Sequence, residues 1–275
     1  MTSYQRSGDV YELALDAEPC NEIGVALLEL LERFVDEVAG SDAKAVIVHS
    51  LRPLGFSAGA DLRDLFARMQ QSGGAGFLDE ARQFIERIHA VLARFDALPQ
   101  TTFAALHGVC FGGGFELALV CDVLIADKTT RFAFPELRLG LVPGFGGIPR
   151  LRREVSNGVV RDMLMTGRSL NAARAHAVGL VSQLVAAGHA LNAARSAARQ
   201  ACLFEREVQA LSKAFMKPLL HDELAAERKL FMHMIAQPRV LAALADFVAR
   251  RDPMPYLPRV ADQTAATQTN AKDSV

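Results

Sequence analysis

The run HGVCFGGGFELALVCD, His107 to Asp122, places three consecutive glycines, Gly112 to Gly114, between an apolar stretch and a short helical one. Thr101 to Leu106 ahead of it reads as a buried strand, and Phe115 to Val120 behind it fits a short helix. Glycines at such a junction permit backbone conformations that side chains forbid, and they let a ligand approach the main chain. The first amides of the helix have no intrahelical acceptor and sit at the positive end of its dipole, so they can bind negative charge. A close-packed strand-to-helix turn would use the same glycines. A dinucleotide site would need GxGxxG and a Walker loop would need GK[ST], and neither spacing is present.

Outward from this turn, strands and helices alternate. Val10 to Leu15 reads as a strand. Ile23, Leu27, Leu30, Leu31, Phe34, Val35 and Val38 recur at helical spacing, and Ala45 to His49 is a short buried strand. Pro53 to Asp61 is rich in turn residues, and Ser72, Gly73, Gly74 and Gly76 mark a polar loop expected to be mobile. Phe84, Ile85, Ile88, Val91, Leu92 and Phe95 form one face of a helix that ends before Pro99. Val123 to Ala126 and Phe132 to Phe134 are further strands, the second stopped by Pro135. The alternation predicts an α/β core over residues 1–195. From 196 to 258 the pattern is helical, including Leu224 to Ile235 and a helix opening at Pro238, while 259–275 has few large apolar residues and reads as a disordered tail.

The whole-chain numbers narrow the function. The 275 residues are 51% apolar, enough for a sizeable core. The 30 basic and 31 acidic residues give no global field for nucleic acid or an anionic membrane. Cys20, Cys110, Cys121 and Cys202 make no CxxC pair and no metal-ligand spacing with histidine, so no metal is expected and a reduced, cytoplasmic chain is the simplest reading. No apolar stretch is long enough to span a bilayer before a glycine or a charge breaks it.

Two further segments complete a pattern: Phe56-Ser57-Ala58-Gly59-Ala60-Asp61, and FPELRLGLVPGFGG from Phe134 to Gly147. In this order and separation the three resemble the crotonase (enoyl-CoA hydratase/isomerase) superfamily, over roughly Val10 to Tyr256. The resemblance implies a spiral of repeated ββα units with a helical C-terminal subdomain, assembled as a homotrimer or dimer of trimers. It also implies an acyl-CoA substrate, or an acyl-carrier-protein thioester, with coenzyme A as part of the substrate, no permanently bound cofactor, and a place in fatty-acid metabolism. The positions matching the family's oxyanion hole are Ala60 and Gly113, whose backbone amides would hold the thioester oxygen as an enolate forms; one such donor is worth about 3 kcal/mol in a transition state. Glu116 and Glu136 match the two acid/base glutamates of the hydratases, with Glu116 as base and Glu136 as acid. Ala58, Asp61, Leu62, Gly112, Pro143 and Gly144 are the matching substrate-binding positions.

Taken alone, each glutamate reads as a solvated or capping carboxylate. Ile148-Pro149 departs from the Thr-Gln pair of the family before Arg150, which bears on pocket geometry. Arg63, Lys217 and Arg250 are candidates for coenzyme A phosphates or adenine against a plain surface role. Phe66, Phe77, Phe111 and Phe115 are candidates to shape the acyl pocket, and His107 and His176 read as structural. Syn-hydration of an enoyl thioester is the leading reading. A double-bond isomerase using only Glu136, a thioester hydrolase or tailoring enzyme, and a non-catalytic scaffold are the alternatives.

Overall fold

A computed structural model of the chain describes residues 2–73 and 76–250. The expected tail at 259–275, the end of the expected helical subdomain at 251–258, and Gly74 lie outside the described residues.

The first sheet is built from β1 (Ser3–Ser7), β2 (Val10–Leu15), β3 (Ala45–Ser50), β5 (Thr101–Leu106), β7 (Val123–Asp127) and β10 (Gln183–Val185), in that spatial order. All neighbours pair in parallel except β1 with β2. Strands β3, β5 and β7 read as continuous apolar runs because both their faces are covered, whereas β2 alternates and β1 is an exposed edge. Val46, Val48, Ala104, Leu106, Leu124 and Ala126 face one core, shared with α1 (Val25–Ala39) and α3 (Gly76–Asp96). Their alternate neighbours Ala45, Ile47, Phe103, Ala105 and Ile125 face the other, covered by α8 (Ala190–Ala201). Ala190, Ala194, Ala198 and Ala201 form a small-residue seam there, so the helix lies close on the strands. The expected boundary at 195/196 falls inside this helix.

The second sheet positions the site. It runs β4 (Gly55–Ser57), β6 (Val109–Phe111), β8 (Arg131–Ala133), β9 (Leu170–Asn171). Because β4 and β6 pair in parallel, the turns that follow them lie side by side. One turn leads into α2 (Leu62–Ser72), capped by Asp61 Oδ1, which accepts from Asp64 N at 2.9 Å; the other leads into α4 (Gly113–Leu119). Strand β8 delivers a 3-10 turn at Pro135–Leu139.

The chain continues through α5 (Gly147–Glu154), α6 (Asn157–Thr166) and α7 (Ala172–Ala177). After α8 come α9 (Arg206–Met216), α10 (His221–Ile235) and α11 (Pro238–Ala249). Phe231, Ile235, Val240 and Leu244 of the last two join the main core, so these helices pack on the α/β body.

The segment read as turn and loop is thus more ordered than its composition suggests. Gly55–Ser57 is a strand, Leu62–Ser72 a helix, Ser72 ends α2 and Gly76 opens α3. Among the described residues no helix is long and apolar enough to cross a membrane.

Candidate active site

Two backbone amides converge between β4 and β6. Ile23 N donates to Gly59 O at 2.7 Å and Asp61 N donates to Ile23 O at 3.1 Å, a parallel bridge that turns the Ala60 N–H away from Ile23. Gly113 opens α4, so its N–H has no acceptor within the helix. A Cβ placed on Gly113 would lie 3.3 Å from Ala60 N, and one on Gly59, whose φ is +107°, would lie 3.2 Å from Gly113 N. No side chain fits between these amides. The expected oxyanion pair, Ala60 and Gly113, is therefore brought together.

Glu116 projects from the first turn of α4 and is buried. Its Oε1 accepts from Phe145 N and Gly147 N, each at 2.7 Å. Burial pushes its pKa up to about 7, opposed by these amides and by Arg150. Glu136 comes from the 3-10 turn, and its carboxyl lies against Gly112, where a Cβ would fall 2.3 Å from Oε1. Its Oε2 is buried without a hydrogen-bond partner. Burial and then the Glu116 charge push Glu136 up to about 8. The two carboxyls thus occupy unequal settings, one solvated by main-chain amides and one bare.

The loop that holds Glu116 is itself braced. Arg150, fully buried on α5, donates through Nη1 to Phe145 O at 2.8 Å and through Nε to Asp96 Oδ2 at 3.0 Å. Asp96 also receives Arg153 Nη2 at 3.1 Å and Lys217 Nζ at 2.9 Å. His89, which burial holds uncharged down to about pH 4, donates Nε2–H to Gly144 O at 2.8 Å. From α10, Glu227 Oε1 accepts from Gly146 N at 3.0 Å and Gly147 N at 3.1 Å, and Oε2 accepts from Ile148 N at 3.0 Å.

A cavity of about 270 Å³ opens beside Ala60 and Glu136, while Gly113 and Glu116 lie outside its lining. Ala58, Ala60, Asp61 and Leu62 line it together with Glu136 and Arg138, and with Arg63, Phe247 and Arg250. Gly112, Pro143 and Gly144 do not line it. Gly112 backs the Glu136 carboxyl, while Pro143 and Gly144 are buried in the braced loop, Gly144 directly under the Phe231 ring. Of the three cations considered for coenzyme A, Arg63 and Arg250 line the cavity. Lys217 does not, because its ammonium is taken by Asp96, Asp122 and Val120 O. Phe66, Phe111 and Phe115 lie outside the lining; Phe111 packs on Cys20 and Ala58, and Phe115 stacks on Phe132 and Phe134. The Phe77 side chain lies outside the described residues.

His107 and His176 bond to the carbonyls of Arg52 and Val181, as structural histidines do. Cys20, Cys110, Cys121 and Cys202 are free thiols. Among the described residues no group of three or more His, Cys, Asp or Glu could hold a metal ion.

Residues 7–255 match the enoyl-CoA hydratase/isomerase family profile. The chain belongs to that family. A probable enoyl-CoA hydratase of Mycobacterium bovis is 33% identical over 245 residues, 87% of this chain and 88% of its own length. The mitochondrial methylglutaconyl-CoA hydratase of Rattus norvegicus is 34% identical over 161 residues, 58% of this chain and 49% of that protein. An enoyl-CoA hydratase structure from Bacillus halodurans superposes with a TM-score of 0.80 over 89% of this chain and 99% of that one, at 19% identity. The family acts on coenzyme A thioesters without a permanent cofactor, and the crotonase-like α/β fold expected from the three segments is the fold found.

Several features of the site carry no mark in the sequence. Glu22, between Asn21 and Ile23, lines the cavity, and burial pushes its pKa up to about 7, with Asp61 adding to the rise. Nothing in its surroundings along the chain signals this. Glu227 could have been suspected from Leu224 and Phe231, which share its helix face and are buried, since a charge set on such a face must find a partner.

The Gly112 geometry has a measurable consequence. Its φ of +50° is one that side chains rarely adopt, and a methyl group there would strike Glu136. Gly112→Ala should therefore lower kcat at least ten-fold while costing about 1–3 kcal/mol of stability, to be read by steady-state kinetics beside thermal melts.

Proposed function

We propose that the chain is a lyase that adds water syn across the double bond of an α,β-unsaturated acyl thioester. The reading rests on one observation: two carboxyls in unequal environments, Glu116 buried and Glu136 half-buried, lie beside two converging amides. The Ala60 and Gly113 amides would hold the thioester oxygen and stabilise the charge that grows there. Glu116, whose carboxylate form is stabilised by Phe145 N and Gly147 N, would take a proton from water as the oxygen attacks the β-carbon. Glu136, whose bare Oε2 favours the protonated form, would deliver its proton to the α-carbon. Arg63 and Arg250 in the lining of the cavity suit the phosphates of coenzyme A. Incubation with crotonyl-CoA, following loss of the conjugated enoyl absorbance and appearance of the 3-hydroxyacyl product, tests this; no hydration across a panel of acyl chains would overturn it.

The pH profile gives a second check. Activity should rise with pH as Glu116 loses its proton near 7 and fall as Glu136 loses its own near 8, so kcat/KM plotted against pH is a narrow bell. A profile flat across neutrality would contradict the assignment.

A double-bond isomerase is favoured by a different observation. Glu136 lines the open cavity, whereas Glu116 is covered by the 145–147 loop. In that reading Glu136 alone would move the proton between carbons, and a 3-enoyl thioester would give the 2-enoyl isomer without hydroxylated product. For assembly we propose a homotrimer or dimer of trimers, supported by the exposed Val208, Leu211, Phe215 and Met216 on α9. The free thiols fit a reducing, cytoplasmic setting.

A further inference from the structure

The hydration reading uses two carboxyls, yet a third is buried within hydrogen-bonding range of the same loop. Glu227 sits on α10, only 5% exposed, and reaches across to the start of α5. Its two oxygens take the amides of Gly146, Gly147 and Ile148, all within 3.1 Å. The Gly147 amide is shared: Glu116 Oε1 receives it at 2.7 Å and Glu227 Oε1 at 3.1 Å. One N–H therefore serves two carboxylates from two helices. A Cβ at Gly147 would come within 2.9 Å of Glu116 Cγ and Oε1, so only glycine lets this amide approach the Glu116 carboxyl so closely.

We infer that Glu227 is a positioning residue for Glu116: it clamps the three amides that open α5, and through the shared Gly147 amide it sets both the aim of the Glu116 carboxyl and the ease with which Glu116 gives up its proton. The proposal rests on the acid/base reading above. Without Glu227 the 145–148 backbone would be held by Arg150 at the Phe145 and Gly146 carbonyls and by His89 at the Gly144 carbonyl, but its amides would point at nothing except Glu116.

The ionisable groups around Glu227 are few. Glu116 on α4 is its direct partner, Glu136 lies beyond it, Arg150 faces it from α5, His89 comes from α3, and Arg228 follows it on α10. Arg82 and Glu86 of α3 meet Arg228 and Lys229 at a separate surface hollow, and Arg239 and Asp246 of α11 line hollows elsewhere. Burial and the Glu116 charge both push Glu227 up, and the amides and Arg150 resist. Glu116 therefore bears on Glu227 through its charge, while Glu227 bears on Glu116 through the Gly147 amide that the two share.

Glu227→Gln decides the matter. The amide keeps the shape, but its NH2 must face an N–H donor, so at least one of the three contacts is lost. We expect kcat to fall by up to about 100-fold with KM nearly unchanged, and the acid limb of the kcat/KM profile to move to lower pH as the Gly147 amide passes to Glu116 alone. Glu227→Asp, which keeps both acceptor oxygens, should leave that limb close to its wild-type position. A readout free of turnover separates this inference from the hydration reading: the carboxyl stretch of Glu116, assigned by infrared difference against Glu116→Gln, should titrate at lower pH in Glu227→Gln whatever substrate the enzyme prefers. Unchanged kcat in Glu227→Gln would overturn the proposal. So would a loss of kcat or of thermal stability with both the acid limb and the Glu116 titration unmoved, since that is a purely structural role.

Discussion

Glu136→Gln is expected to lower kcat on a short enoyl-CoA by a factor on the order of 100 to 10,000 while leaving KM close to the wild-type value. The glutamine fits the same space against Gly112 but has no acidic proton to deliver, so only the interaction made in the transition state is lost. Glu116→Gln should show a loss of the same order, since its amide can still accept from Phe145 N and Gly147 N but cannot take a proton from water. The double variant should be little worse than either single one, because acid and base act on the same step. The pair of substitutions also separates the two readings: an isomerase would lose activity in Glu136→Gln and keep most of it in Glu116→Gln. Near-normal hydration in both single variants would remove the acid/base mechanism altogether.

Asp96→Ala should destabilise the fold by about 3–5 kcal/mol, the largest stability effect anticipated for a single side chain here. Asp96 is 2% exposed and is the common partner of Arg150, Arg153 and Lys217, so its removal leaves the fully buried Arg150 without a carboxylate and takes one partner each from Arg153 and Lys217, which keep Glu154 and Asp122. A surface pair such as Arg82 with Asp79, both more than half exposed, should yield no more than about 1 kcal/mol. Urea denaturation midpoints of Asp96→Ala and Asp79→Ala provide the comparison. Burial is the largest influence on Asp96 and opposes its charge, but Lys217, Arg150 and Arg153 outweigh it and hold the carboxyl below the ordinary range. Its contribution is therefore fully present above the unfolded value near 4 and lost as pH falls through the lower native value, so wild type and variant should converge in stability in acid.

Much of this architecture was legible in the chain. The strands at Val10–Leu15 and Thr101–Leu106 and the helix through Phe34 and Phe95's partners announce themselves because each buries one continuous face. The glycine turn was legible for a different reason: no side chain can occupy Gly112 or Gly113 without striking Glu136 or Phe145. Helix α2 was hidden although its signals are present, with Asp61 as cap and Leu62, Leu65, Phe66 and Met69 at helical spacing. The glycines that follow it drew the reading toward a loop. Lys217 and Arg150 were opaque because a charged residue reads as exposed unless its partner is known, and their partner, Asp96, lies far off along the chain. Glu22 enters the cavity through tertiary packing alone.

The clamp from α10 also bears on how the enzyme comes into being. Glu227 meets Gly146 from 81 positions further along the chain, and Lys217 meets Val120 from 97. On a ribosome adding about 5–20 residues each second, both sheets and the glycine turn emerge seconds before the residues that set the catalytic loop. The contacts that brace this loop from α10 can form only once that helix has left the ribosome, so order at the centre is completed late although its glycine turn is made early.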